Sequence, residues 1–214
     1  MAQLKQVITQ LAFSSPILGF EVPDAAALNA ALTSDIAKRQ QAEPGLSISN
    51  QHGWHSDRDL FKREEHSFKL LCSHIVRALI HVGKTFTPEF SLEQRDIQGQ
   101  GWVNVNNKGA YNAPHDHGSF HWSGCYYVAV PPTENERSGN IEFLDPRGGL
   151  SMGSDAPSPI FGGKVRFRPQ PGLMLIFPSY LYHWVYPNEE AADRISIAFN
   201  AKIVSRPKAG EPRT

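Results

Sequence analysis

Between Asn112 and Tyr127 the chain reads NAPHDHGSFHWSGCYY, with His115, Asp116, His117 and His121 inside seven positions. Imidazole and carboxylate are the donors that first-row transition metals take from proteins, so the residue types point to metal chemistry. In an extended strand, residues i and i+2 point to one side and i+1 to the other. His115 and His117 can therefore reach one ion together, while Asp116 turns away unless the strand is distorted. His121 shares the parity of His117 but lies further along the chain. The chain has nine histidines, so an isolated H-x-H decides little by itself.

A second group of candidates lies in GLMLIFPSYLYHWVYPNEEAADRISIAFN. Leu173, Leu175 and Phe177 alternate with Met174 and Ile176, which reads as a strand buried on both sides. Pro178 and Ser179 turn the chain, and His183 follows among aromatics. In RISIAFN the alternation puts Ile195, Ile197 and Phe199 on a core face and Arg194, Ser196 and Ala198 on the opposite one. In a small barrel that opposite space is the lumen. A buried arginine is costly unless it meets a carboxylate or phosphate. Arg194 has two readings here: a salt bridge to a protein carboxylate such as Glu142, or a preorganised fork for a carboxylate ligand.

These residues need a framework. Residues 23–41, PDAAALNAALTSDIAKRQQ, predict a helix with Asp24 as its cap and Lys38 and Arg39 at its C-terminal end. REEHSFKLLCSHIVRALIHVGKTF predicts another, with Phe68, Leu71, Cys72, Ile75, Leu79 and Val82 as the buried stripe and Glu64 and Glu65 in the first turn. GLSISNQHGWHSDRD between them reads as a polar loop. From about residue 88 the pattern changes to short alternating runs, GWVNVNN, GCYYVAV, NIEFLD, KVRFRPQ, GLMLIFPS and RISIAFNAKI, separated by turn residues. That pattern predicts a β-sandwich or barrel.

The 214 residues suit one domain, and the net charge of +0 offers no basic excess to neutralise a nucleic acid. Two cysteines, Cys72 and Cys125, do not make a disulfide framework, and the expected compartment is cytoplasmic. No apolar run approaches the roughly 20 residues of a membrane span, and the N-terminus lacks the features of a signal peptide.

Together, H-x-H at His115 and His117, HWVYP from His183 and RISIAF from Arg194 resemble the iron(II) and 2-oxoglutarate-dependent oxygenases, especially their prolyl-hydroxylase-like branch. That family carries H-x-D, a distant histidine, and R-x-S or R-x-T shortly after it. Here the interval is 194 − 183 = 11 residues. The linking pieces YYV, SGNIEF and PGLMLIFPS also come in the family's order. The resemblance covers roughly residues 100–203 and, more loosely, the N-terminal half, where SNQHGWHS together with SGCYYV suggests a bacterial subgroup.

The resemblance implies a mainly β fold: a double-stranded β-helix (jelly roll, cupin-like) with N-terminal α-helices packed on the outside. Residues 1–214 would form a single domain, with 1–87 as a helical elaboration, 88–203 as the catalytic core and 204–214 as a flexible tail. His115 and His183 match the family's first and last metal ligands. Arg194, with Ser196 beside it, matches the arginine that pairs with the distal carboxylate of 2-oxoglutarate. Tyr126 matches a tyrosine holding the same carboxylate, and Asn104 or Asn106 occupies a stretch that often adds a polar contact. The departure is at position 117, where the family has a carboxylate and this chain has histidine. The favoured set is His115, His117 and His183, with Asp116 and His121 as the alternatives at the middle position.

The implied activity is an iron(II)- and 2-oxoglutarate-dependent dioxygenase that hydroxylates a substrate the sequence does not specify, using O2. The alternatives are a cupin-like metal enzyme that does not use 2-oxoglutarate, and a non-catalytic jelly-roll binding protein. Trp54 and His55 are candidates for the mouth of the site. Trp122, Tyr182 and Trp184 are candidates for its lining. His66, His74 and His81 suit solvent or packing roles on the second helix, Cys125 reads as a small core residue, and DPRGG at 145–149 reads as a turn. No membrane or nucleic-acid partner is expected, and the oligomeric state is open.

Overall fold

The alternation in RISIAF extends into one of the two longest strands of the protein and organises everything around it. The computed structural model describes residues 13–87, 90–91, 93–147 and 163–206. In chain order the elements are β1 (Leu18–Glu21), α1 (Ala25–Ala42), β2 (Asn50–Gln51), β3 (Trp54–His55), α2 (His66–Phe86), β4 (Arg95–Asn106), β5 (Tyr111–His115), β6 (Trp122–Ala129), β7 (Ile141–Leu144), β8 (Lys164–Phe167), β9 (Leu173–Pro178), β10 (His183–Val185) and β11 (Arg194–Ser205). They form two antiparallel sheets, in the orders β1-β9-β6-β11-β4-β3 and β2-β5-β10-β7-β8. The fold is mainly β, as the strand pattern predicts.

The six-stranded sheet has two unlike faces. On one, Val103, Val105, Tyr126, Met174, Ile176, Ile195, Ile197 and Phe199 merge with the buried stripes of both helices, including Leu28, Leu32 and Ile36 of α1 and Phe68, Leu71, Ile75 and Leu79 of α2. Each such buried side chain contributes roughly 1.5–3 kcal/mol of transfer free energy. On the other face, which looks toward the five-stranded sheet, Tyr127, Leu175 and Phe177 pack with Ile141, Phe143 and Val185. Arg194 and Ser196 are on this second face, registered opposite Asn106 and Asn104 of β4. Gly124 of β6 lets the strands pack this closely, because a Cβ there would lie 2.2 Å from the Phe199 ring.

Several local expectations change. Asp24 has φ 53° and its side chain caps nothing; it turns the chain from β1 into α1 instead. Glu64 and Glu65 precede α2 rather than occupying its first turn, and their carboxylates pair with Lys69 and Arg63. Residues 1–87 are more than a helical elaboration: β1 pairs with β9, β2 with β5 and β3 with β4, so this region completes both sheets. The polar loop between the helices therefore contains two strands, turned at His52 with φ 61°. Their amphipathic pattern spans only two residues each, too short for sequence periodicity to reveal. At the other end, Val204 and Ser205 continue β11 opposite Asp96 and Arg95, so the expected tail does not begin at 204. Residues 1–12, 148–162 and 207–214 lie outside the described residues, and with them part of DPRGG. Among the described residues no helix is long and apolar enough to cross a membrane.

Candidate metal centre

β5 ends at His115 and β10 begins at His183, and the two are direct partners in the antiparallel ladder. Ladder pairing brings together residues far apart in sequence. His117 lies just beyond β5, where its N–H donates to the Ser179 carbonyl at 2.8 Å. The three rings are 4.9 Å (His115–His117), 4.5 Å (His115–His183) and 5.3 Å (His117–His183) apart between centroids. One ligand atom from each lies within 4.8 Å of the others.

Backbone carbonyls decide which ring nitrogens are free. His115 Nδ1 lies 2.6 Å from the Ala113 carbonyl and His183 Nδ1 2.8 Å from that of Leu181. A carbonyl only accepts, so Nδ1 carries the hydrogen in both rings and Nε2 keeps its lone pair for a metal. Asp116 points outward, where its Oδ1 accepts the Gly118 N–H at 3.0 Å and closes a turn. His121 is exposed and its Nδ1 accepts the Ile203 N–H at 3.1 Å. Neither joins the cluster.

The cluster is held neutral. Burial, followed by the charge that His115 would carry, pushes His183 down to about 3 and His117 down to about 4, and burial lowers His115. Neutral imidazoles are what metal binding requires. The sign of the pH effect follows. Below the ordinary histidine value of 6.5 the unfolded chain takes up protons that these buried rings refuse, so metal-free stability falls as pH drops below 6.5. Melting curves of the metal-free protein should show Tm falling by about 4 °C or more between pH 7 and pH 5. His183→Gln should lose less over the same range; an equal loss would place the titration elsewhere.

Next to the histidines lies a cavity between the sheets, lined in part by Trp102, Asn104, Phe177, Val185, Arg194 and Ser196. Arg194 is 1% exposed. Its Nε donates to the Gly139 carbonyl at 2.9 Å and its Nη1 to Ser196 Oγ at 3.2 Å. Gly139 has φ 65°, and a Cβ there would press on Arg194 Cδ at 3.0 Å, so the turn that orients the arginine suits glycine. Glu142 is not the partner of Arg194. It faces the other side of its sheet, where it pairs with Arg166 at 2.8 Å and Lys164 at 3.6 Å. Arg194 Nη2, Tyr127 Oη, Asn104 Oδ1 and Asn106 Oδ1 are all buried without a hydrogen-bond partner. The Arg194 Nη2 and the Tyr127 hydroxyl are donors whose burial is costly unless an acceptor such as a carboxylate meets them, while the two asparagine oxygens accept and call for a donor.

Tyr126 requires a correction. It is registered opposite Ile197, on the helix-facing side, and its hydroxyl donates to Asn29 Oδ1 at 2.6 Å. Tyr127, opposite Ser196, lies on the Arg194 side of the sheet instead, with Arg194 Cζ 5.2 Å from its ring centroid. The alternation in SGCYYV carries this information, since Ser123, Cys125 and Tyr127 share a face. Cys125, expected as a core residue, lines the cavity, as do Ser123 and Asn112. Asn104 and Asn106 both face inward; Asn106 Nδ2 also donates to Asn112 Oδ1 at 3.4 Å.

The aromatic candidates divide. Trp54 packs against the helix-side core and donates to the Glu43 carbonyl at 3.1 Å. His55 stacks on Trp102 at 5.4 Å, and Trp102 in turn meets His117 edge-on at 5.8 Å. Trp122 stacks on Phe86, Trp184 lies near Lys164 and Tyr186, and Tyr182 is 42% exposed. His66, His74 and His81 lie on α2, away from the cluster.

Residues 100–200 match the family described as "Putative 2OG-Fe(II) oxygenase". Among solved structures, the chain is similar to a Pseudomonas putida prolyl-4-hydroxylase (TM-score 0.61, 12% identity, covering 88% of this chain and 93% of that one). It is also similar to a Trichoplax adhaerens prolyl hydroxylase in complex with a hypoxia-inducible-factor peptide (TM-score 0.61, 14% identity, 87% and 83% covered). A third is HygX of Streptomyces hygroscopicus, with nickel and 2-oxoglutarate bound (TM-score 0.59, 11% identity, 88% and 83% covered). At these identities the likeness to solved structures is one of fold. No curated protein matches the sequence.

Proposed function

We propose, from the premise that residues 100–200 belong to the 2OG-Fe(II) oxygenase family, that this protein is a hydroxylase in which His115, His117 and His183 hold the iron and Arg194 anchors 2-oxoglutarate. The observation that carries the reading is the pairing of two features in one cavity: a cluster of neutral imidazoles and a buried guanidinium with an unsatisfied Nη2. Three imidazoles are a fit donor set for iron(II). When bound, iron supplies the oxygen-activating redox chemistry that no side chain provides.

The residues of the chain do the rest. Ala113 and Leu181 carbonyls keep the Nε2 lone pairs of His115 and His183 available. Arg194 presents Nη2 to the distal carboxylate of the cosubstrate, while Gly139 and Ser196 stop the guanidinium from rotating. Ser196 and Tyr127 add hydroxyls, and Asn104 and Asn106 amides, along the same wall. Tyr127 replaces Tyr126 in this role. Phe177, Ile141 and Val185 exclude water from the reacting region. On this reading the two sheets form a double-stranded β-helix with the two helices packed outside, in one domain; the two antiparallel sheets support it. The free thiols Cys72 and Cys125 agree with a reducing, cytoplasmic setting.

The test is turnover of the cosubstrate. Iron(II)-loaded protein with 2-oxoglutarate and O2 should release succinate, and neither metal-free protein nor anaerobic samples should. Iron-loaded protein that neither binds 2-oxoglutarate nor consumes it would sink the proposal.

A pair of adjacent substitutions separates the two tyrosines. Tyr127→Phe should weaken 2-oxoglutarate binding about tenfold, the equivalent of one hydrogen bond to a charged group. Tyr126→Phe should leave that affinity unchanged and cost about 1 kcal/mol of stability through Asn29. Calorimetric titration and thermal melts of both variants read the two effects, and the reverse pattern would restore Tyr126 to the site.

A further inference from the structure

We infer that the substrate carries a carboxylate, recognised by Arg58 at the mouth of the cavity; this rests on the oxygenase reading and narrows its substrate class. Arg58 is exposed, and its Cζ lies 5.5 Å from the Trp102 ring centroid. Trp102 lines the cavity and touches His117.

The segment carrying Arg58 is fixed on both sides. Ser56 N–H donates to the Val103 carbonyl at 3.0 Å, and Ser56 Oγ accepts the Val103 N–H at 2.9 Å. The buried Arg39 donates to the Asp57 carbonyl at 3.5 Å and to Asp59 Oδ1 at 2.6 Å. Arg58 is thus held between two anchored neighbours. Arg58, like Arg77, Arg95, Arg137 and Arg168, has no carboxylate within ion-pair distance among the described residues; what sets it apart is its place over a ring that lines the cavity. A cation held over an aromatic wall and left unpaired is disposed to take an anion.

Charge balance in the cavity points the same way. No aspartate or glutamate is among its lining residues, and the position where the family places a carboxylate ligand holds His117. A metal dication and Arg194 would bring three positive charges into the cavity. The 2-oxoglutarate dianion offsets two of them. The remaining field favours an anionic substrate and repels a cationic one, and Trp102 offers apolar surface for its body.

The experiment uses full-length protein loaded with Mn(II) and saturated with 2-oxoglutarate. Fluorine relaxation of 4-fluorobenzoate and 4-fluorobenzylamine then reports approach to the paramagnetic ion. The benzoate should relax faster in the wild type and the benzylamine should not. Arg58→Gln should weaken benzoate binding about tenfold, Arg58→Lys should recover part of it, and 2-oxoglutarate affinity should change less than about twofold in both. Equal relaxation of the two probes, no relaxation of the benzoate, or an unchanged Arg58→Gln would overturn the inference. If instead the wild type binds no 2-oxoglutarate, and benzoate relaxation is lost in Arg194→Met rather than Arg58→Gln, the oxygenase reading itself falls and takes this inference with it.

Discussion

Arg194→Met should bind 2-oxoglutarate at least about a hundredfold more weakly than the wild type and lose succinate production accordingly. The size of the effect comes from burial. The guanidinium is 1% exposed, has a hydrogen bond to Gly139 and another to Ser196, and leaves Nη2 unpaired in the ligand-free protein. Breaking a buried charge pair costs about 3–5 kcal/mol, and each 1.4 kcal/mol is tenfold in affinity. The same substitution should leave the ligand-free Tm unchanged or raise it, because methionine of similar length removes an uncompensated charge from the interior. Function and stability therefore move in opposite directions, which a merely structural arginine would not show. Calorimetry with 2-oxoglutarate and a melt of the ligand-free protein check both halves. Wild-type affinity in Arg194→Met would remove Arg194 from the site.

The second large effect concerns the metal. His183→Ala should reduce iron(II) affinity by at least about a hundredfold, exceeding the 10–100-fold typical of losing only a supporting contact. Asp116→Ala should have no such effect, since its carboxylate closes the turn at Gly118 and faces away from the cluster. His117→Asp is the informative variant between them. It should retain metal and add the negative charge that three imidazoles lack, and its 2-oxoglutarate affinity should fall because the new carboxylate opposes a dianion in the same cavity. Metal content after chelator challenge, measured for all three, distinguishes these outcomes. Iron loss in Asp116→Ala comparable to that in His183→Ala would overturn the ligand assignment.

The difference between what was legible in the sequence and what was not follows from the range of each interaction. Alternation along a strand is local, so RISIAF by itself puts Arg194 and Ser196 on the side opposite Ile195, Ile197 and Phe199, and H-x-H puts His115 and His117 together. The amphipathic stripe of α2 is equally local. Order and spacing of His115, His183 and Arg194 sufficed to point to the oxygenase family. Alternation in SGCYYV likewise puts Tyr127 with Ser123 and Cys125 and Tyr126 on the other face, but which face of β6 meets Arg194 is not local. It depends on how β6 registers against β11, and that register shifts between Ile195 and Ser196.

Partner choice was likewise out of reach of the sequence. Glu142 has the right chemistry for Arg194, but strand parity on β7 turns it toward Arg166 and Lys164. The two-residue strands β2 and β3 exist only because β5 and β4 offer them edges to pair with. So the sequence by itself determined the kinds of groups and which neighbours along one strand share a side. Tertiary structure alone decided which strands stand opposite, and so placed His183 against His115, Tyr127 beside Arg194 and Arg58 over Trp102, because contacts across a sheet depend on register and not on distance along the chain.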